Sequence, residues 1–117
     1  MYKIYLKEED MMKDTDFPII ALINEACNTD IVEFILNLSK GIGSGYNYTN
    51  CMFWDELDEY DKLTISHYEG LQVSTENGEE VITSKEEVIT YLKIASDRLK
   101  EEGFPDTDKL RNLIESL

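Results

Sequence analysis

The stretch Leu71-Gln-Val-Ser-Thr-Glu-Asn-Gly-Glu-Glu-Val-Ile-Thr-Ser-Lys-Glu-Glu87 holds two signals that decide the fold. Asn77-Gly78 marks a hairpin, because a type I′ turn needs positive φ at both central residues and Asn-Gly meets that demand at low cost. The turn joins a strand over Leu71 to Thr75 with one over Glu79 to Thr83. Ser84-Lys-Glu-Glu87 then matches a capping box, in which a serine hydroxyl and a glutamate satisfy backbone donors at a helix start. A hairpin running directly into a helix predicts an α+β fold, with a small antiparallel sheet of three to five strands packed with about four α-helices.

Downstream, Val88, Tyr91, Leu92, Ala95 and Leu99 form one apolar stripe of a helix running to Glu102, which Gly103 ends before Phe104-Pro105 turns the chain. Asp106 or Thr107 caps a last helix with Leu110, Leu113, Ile114 and Leu117 inward. Upstream, Tyr46 to Trp54 reads as a strand, the acidic run 55 to 61 as a turn or loop, and residues 62 to 67 as a second alternating strand. Gly70 breaks or bulges the pattern before Leu71.

Nearer the N-terminus, Asp16 before Phe17-Pro18 predicts a cap and a helix near 17 to 27, followed by a Thr29-capped helix bearing Ile31, Phe34, Ile35 and Leu38. Gly41 stops it, and Gly41 to Gly45 reads as a flexible connection. Tyr2, Ile4 and Leu6 alternate with Lys3, Tyr5 and Lys7, which suits a short strand.

At 117 residues the chain is expected to be a single domain that buries roughly two thirds of its unfolded surface, so neither disulfide nor structural metal is required. The net charge is −14, and it is unevenly spread: residues 41 to 84 hold nine acids against Lys62 alone. A field of that sign repels nucleic acid and anionic lipid and speeds encounter with basic proteins. No nucleic-acid or membrane partner is therefore expected. Cys27 and Cys51 lack metal or redox spacing and read as buried, reduced thiols, and the N-terminus fits neither a signal peptide nor a membrane span, which places the protein in the cytoplasm.

Catalysis is hard to assemble from this inventory. His67 is the only histidine, and no nucleophile motif stands near it. The glycines of Gly41-Ile-Gly-Ser-Gly45 follow a helix instead of opening one, and no Gly-Lys-Ser or Gly-Lys-Thr closes them, so they do not match a phosphate cradle. Asp55, Asp58 and Asp61 recur every third residue, but counting from Asp55 puts Leu57, Tyr60 and Ser66 where a calcium loop needs an acid or amide, a glycine and a glutamate. No catalytic residue, metal site or cofactor is assigned. The candidate partner-binding residues are Trp54, Asp55, Glu56, Asp58, Glu59, Asp61 and Glu69, where an apolar run meets carboxylates that must stay in water or meet a cation.

The chain also resembles the CdiI-type ribonuclease toxin immunity proteins of contact-dependent growth inhibition and related polymorphic toxin systems. The likeness rests on Phe53-Trp54-Asp55-Glu56 after a Gly-rich connector, Tyr68-Glu-Gly-Leu71, and Glu79-Glu-Val-Ile82 running through Ser84 into a helix with Tyr91-Leu92. It covers roughly Phe34 to Leu99. The resemblance implies a non-enzymatic cytoplasmic inhibitor that binds the basic nuclease domain of a cognate toxin of the CdiA C-terminal type and brings no family catalytic residues. On the residues alone, a small-ligand or metal-binding regulatory module using the sheet and the Gly-rich loop stands as the alternative.

Overall fold

The structure, a computed structural model, describes residues 2 to 117. In chain order it contains α1 (Phe17–Cys27), α2 (Ile31–Ser39), β1 (Ser44–Gly45), β2 (Thr49–Phe53), α3 (Glu59–Thr64), β3 (Leu71–Thr75), β4 (Glu80–Thr83), α4 (Lys85–Glu101) and α5 (Thr107–Glu115), with single 3-10 turns at Glu8–Asp10 and Trp54–Glu56. The four strands form one antiparallel sheet in the order β1-β2-β3-β4. This is the expected α+β architecture.

α1 lies at the centre of the packing, against α2, α4 and the sheet. Ile19, Ile20, Leu22, Ile23 and Ala26 are all buried, so it is apolar nearly all round, as a helix enclosed on several sides must be. The sheet turns Thr49, Cys51, Leu71, Val73 and Thr75 toward this core and leaves Asn50, Met52, Gln72, Ser74 and Ile82 on a half-exposed opposite face, following the two-residue period of a strand. The predicted α4 stripe of Val88, Tyr91, Leu92, Ala95 and Leu99 is fully buried, and Leu110 and Ile114 of α5 complete that side.

Several local expectations are corrected. Among the described residues, Tyr2 to Lys7 form no strand of the sheet: Asn24 of α1 and Asn28, one turn on at its C-cap, take the place of a neighbouring strand. Asn24 accepts from the N–H groups of Tyr5 and Leu6 and donates to the Leu6 carbonyl, each at 2.9 Å, while Asn28 accepts from Lys3 N–H at 2.9 Å and donates to its carbonyl at 2.8 Å. The expected alternation does not hold either: Leu6 is buried, but Ile4 and Tyr2, expected on the same side, are exposed. Three ion pairs bind residues 3 to 13 to α4 and its C-cap: Lys3 with Glu102, Asp10 with Arg98, and Lys13 with Glu87.

The helix caps also differ. Asp16 precedes α1 without capping it through its side chain; its carboxylate is buried and accepts from the Tyr91 hydroxyl at 2.6 Å, which in turn accepts from Met12 N–H. Burial, followed by the Asp16 contact, pushes the Tyr91 phenol up to about 12. Asp30, not Thr29, caps α2 by accepting from Glu33 N–H at 3.0 Å. Ser84 caps α4 as expected, accepting from Glu87 N–H, but the Glu87 carboxylate reaches Lys13 at 2.8 Å.

The β3–β4 hairpin forms at Asn77-Gly78 with a different turn. Only Gly78 has positive φ, at +87°; Gly78 N–H bonds the Thr75 carbonyl and Thr75 N–H bonds the Glu79 carbonyl. This is a type I turn closed by a glycine bulge, which demands one left-handed residue instead of the two required by type I′.

Candidate functional site

β2 and β3 are direct neighbours, paired from Thr49↔Thr75 to Phe53↔Leu71, yet residues 54 to 70 intervene. Antiparallel neighbours need only a few connecting residues, so this connection is much longer than the strand pairing requires. The excursion contains all seven candidate partner-binding residues. It is also where the fold departs most from the sequence expectation: the acidic run, expected as a loop, is mostly helical, and the strand expected over 62 to 67 is replaced by the end of α3 and an irregular return.

The reason lies in Asp58. Its Oδ1 accepts from Asp61 N–H at 2.8 Å, capping α3, and no residue of α3 is buried. Local capping therefore overrides the alternation of Leu63, Ile65 and His67. Leu57 and Tyr68 are the buried anchors of the excursion. The Tyr68 hydroxyl donates to the Met52 carbonyl at 3.1 Å, tying the return segment to β2; burial, with Glu56 nearby, raises its pKa.

Glu56 has a structural task. Its Oε1 accepts from Phe53 N–H and from Gly43 N–H, both at 2.8 Å, so it joins the end of β2 to the Gly-rich connector. That connector is therefore not a free linker: Ser44 and Gly45 pair with Cys51 and Asn50 as the edge strand β1. A Cβ on Gly43 would lie 2.0 Å from the Cys51 carbonyl oxygen, so only glycine admits this approach.

Trp54 is half-buried. Its ring meets His67 edge-on, with centroids 4.7 Å apart and planes at 69°, and Tyr68 at 5.5 Å and 87°. Such edge contacts fix aromatic rings by quadrupole attraction as well as by area. Trp54 is thus seated between the base of the excursion and its return, belonging to neither the central core nor open solvent. Asp55, Glu59 and Glu69 are exposed, and Asp61 is half-buried.

The charge around the excursion is uncompensated. Among the described residues, the ion pairs involve Lys3, Lys13, Arg98 and Arg111, all outside positions 54 to 70. Two exposed apolar side chains were missed by the sequence reading: Tyr60, 73% exposed, and Leu63, 86% exposed. They sit three residues apart on α3, a spacing that becomes meaningful once Asp58 is seen as a helix cap.

Catalytic alternatives find little support. Burial pushes the Cys27 thiol up to about 12 and the Cys51 thiol up to about 11, which leaves almost no thiolate at neutral pH. Cys51 Sγ accepts from Ser44 N–H at 3.3 Å, and His67 faces Trp54. Among the described residues no three His, Cys, Asp or Glu side chains converge as a metal-binding group. A largely apolar groove of about 540 Å³ lies elsewhere, between the N-terminal segment and α1, lined by residues including Tyr2, Ile4, Phe17, Ile20 and Tyr48. Among the described residues, no helix is long and apolar enough to cross a membrane.

Comparison with known families is specific. A family model described as CDI immunity protein matches residues 8–114, and the chain belongs to this family. No curated protein sequence matches it. The match extends over the N-terminal helices that the sequence resemblance did not cover.

Proposed function

We propose that this member of the CDI immunity family neutralises a cognate toxin by binding it, without turnover, inside the cell that makes both. The toxin is a nuclease, specifically a ribonuclease, whose basic substrate cleft is met by the acidic excursion between β2 and β3. The observation that carries this reading is the excursion itself: seventeen residues set between neighbouring strands, with exposed carboxylates that have no ion-pair partner among the described residues. A nuclease must present positive charge to phosphates, and carboxylates on an inhibitor are attracted to the same places.

Within the candidate set the roles divide. Asp55, Glu59, Asp61 and Glu69 supply attraction and steering. Glu56 and Asp58 shape the excursion through the backbone hydrogen bonds described above, and Trp54 fixes its base against His67 and Tyr68. Charge-assisted steering chiefly raises the association rate and weakens with salt.

The test is titration of the purified cognate toxin domain with a variant carrying Asp55→Lys, Glu59→Lys and Glu69→Lys, which spares Glu56 and Asp58. Association should slow by about tenfold or more at low salt, with the variant melting like the parent. Unchanged kinetics and affinity would remove the excursion's charges from the interface. The competing reading is a small-ligand or metal-binding module on the sheet and Gly-rich loop, and a toxin-independent small-molecule ligand found by calorimetry would favour it; the apolar groove at Tyr2, Ile4 and Phe17 lies apart from that loop.

A further inference from the structure

We infer that Tyr60 and Leu63 form the apolar centre of the toxin contact, and that the toxin offers there an apolar pocket bordered by lysine or arginine. This rests on the immunity reading and identifies which residues supply binding energy, as distinct from attraction. Leu63 and Tyr60 are the two most exposed of the large hydrophobic side chains that reach the surface among the described residues. A folded chain gains by burying such groups, and neither here has a neighbour in the protein that covers it.

Their presentation is fixed by the surrounding structure. Asp58 caps the helix that carries them, Leu57 anchors its start, and the Phe53↔Leu71 pair closes the excursion beneath it. The spacing of three residues places both side chains on one side of α3, so a single pocket can receive them. Because the helical backbone that carries the pair is already formed, little backbone entropy is lost on binding, the usual advantage of a preorganised contact.

Charge selects the occupant. Asp55, Asp58, Glu59 and Asp61 lie within a few residues of the pair, and Lys62 is the only base between positions 41 and 84. A second copy of this chain, at net charge −14, is repelled, as are nucleic acid and an anionic lipid surface. A basic protein surface with an apolar centre fits both parts. This is the common anatomy of an interface in which a few desolvated anchors dominate and the charged rim sets rate and specificity.

Calorimetry and stopped-flow binding to the purified cognate toxin domain test the inference, using Tyr60→Ala/Leu63→Ala beside Asp55→Asn/Glu59→Gln/Glu69→Gln, at about 0.05 M and about 0.5 M salt. The apolar double variant should bind about a hundredfold more weakly, chiefly through faster dissociation, and keep the parent's salt dependence and melting temperature. The charge variant should instead associate more slowly and lose salt dependence. Binding of the apolar variant within about threefold of the parent overturns the inference, and leaves the immunity reading standing if the charge variant is impaired. If neither variant differs from the parent, both the inference and the acidic-interface reading fall. A parent that sediments as a dimer, with Leu63→Asp giving a monomer, would assign this face to self-association and overturn the inference.

Discussion

The Glu56 carboxylate accepts the Gly43 backbone N–H at 2.8 Å and so fastens the base of the acidic excursion to the short edge strand β1. The same oxygen holds Phe53 N–H, so one exposed acid shapes two turns of chain. Glu56→Ala should therefore destabilise the protein by about 1 kcal/mol, with Glu56→Gln milder because an acceptor oxygen remains. Gly43→Ala should be worse, by about 3 kcal/mol or more, since its Cβ would collide with the Cys51 carbonyl. Thermal melting of the three variants checks this order.

Asn24 provides the hydrogen bonds that a neighbouring strand would otherwise give to Tyr5 and Leu6. Asn24→Ala leaves buried backbone groups without partners and should cost about 3 kcal/mol. The urea midpoint should fall, and the Leu6 amide should exchange with solvent faster than amides of β3.

Arg98 forks onto both oxygens of Asp10, with Nη2 to Oδ1 at 2.8 Å, and that hydrogen bond holds the Asp10 carboxyl at about 2, against an ordinary 3.8. Because the folded value is depressed, the stabilisation is complete above about pH 4 and lost as the pH falls through about 2. It amounts to at most about 2 kcal/mol, and less with solvent screening at the Arg98 side. Arg98→Met should lower stability at neutral pH and flatten this acid-limb contribution in denaturant titrations at stepped pH.

Cys27 and Cys51 should resist alkylation. With burial pushing their thiols up to about 12 and about 11, iodoacetamide labelling at neutral pH should run at least about a hundredfold slower in the native protein than in denaturant. Mass spectrometry of timed reactions distinguishes the two sites. Labelling of native Cys51 at the denatured rate would show that its strand opens readily.

The hairpin makes a sharper demand on one residue than its sequence suggests. Gly78→Ala should cost about 1 kcal/mol, because φ is positive there. Asn77→Ala should change stability by no more than about 0.5 kcal/mol, losing only an exposed bond to the Tyr48 hydroxyl. Equal large losses would point to a type I′ turn, with both central residues left-handed.

How much was legible divides along physical lines. The α4 stripe, the 17 to 27 helix and the Asn77-Gly78 reversal rest on interactions within a few residues, so periodicity, capping and turn chemistry revealed them. The register of Phe53 against Leu71 closes the sheet across residues 54 to 70, and no local pattern announces that closure. The competition between a helix cap at Asp58 and β-alternation over 62 to 67 involved two local signals of similar reach, and the cap prevailed. For the candidate site, the sequence located the acidic stretch and its lack of bases. It could not separate Glu56, committed to Gly43, from the exposed Asp55, nor reveal that Tyr60 and Leu63 face solvent.

By itself, then, the sequence determined the α+β class, the core faces of the long helices and the placement of charge, because each follows from residue type and short-range spacing. Tertiary structure decided that Tyr2 to Leu6 would be held by Asn24 and Asn28 instead of joining the sheet, and that the acidic run would become a capped, projecting helix. The first outcome depends on backbone groups meeting side chains across long separations in the chain, where a hydrogen bond to a distant asparagine replaces the strand partner that local pattern leads one to expect; the second turns on a short-range cap at Asp58 prevailing over an equally short-range β-alternation once the chain is folded.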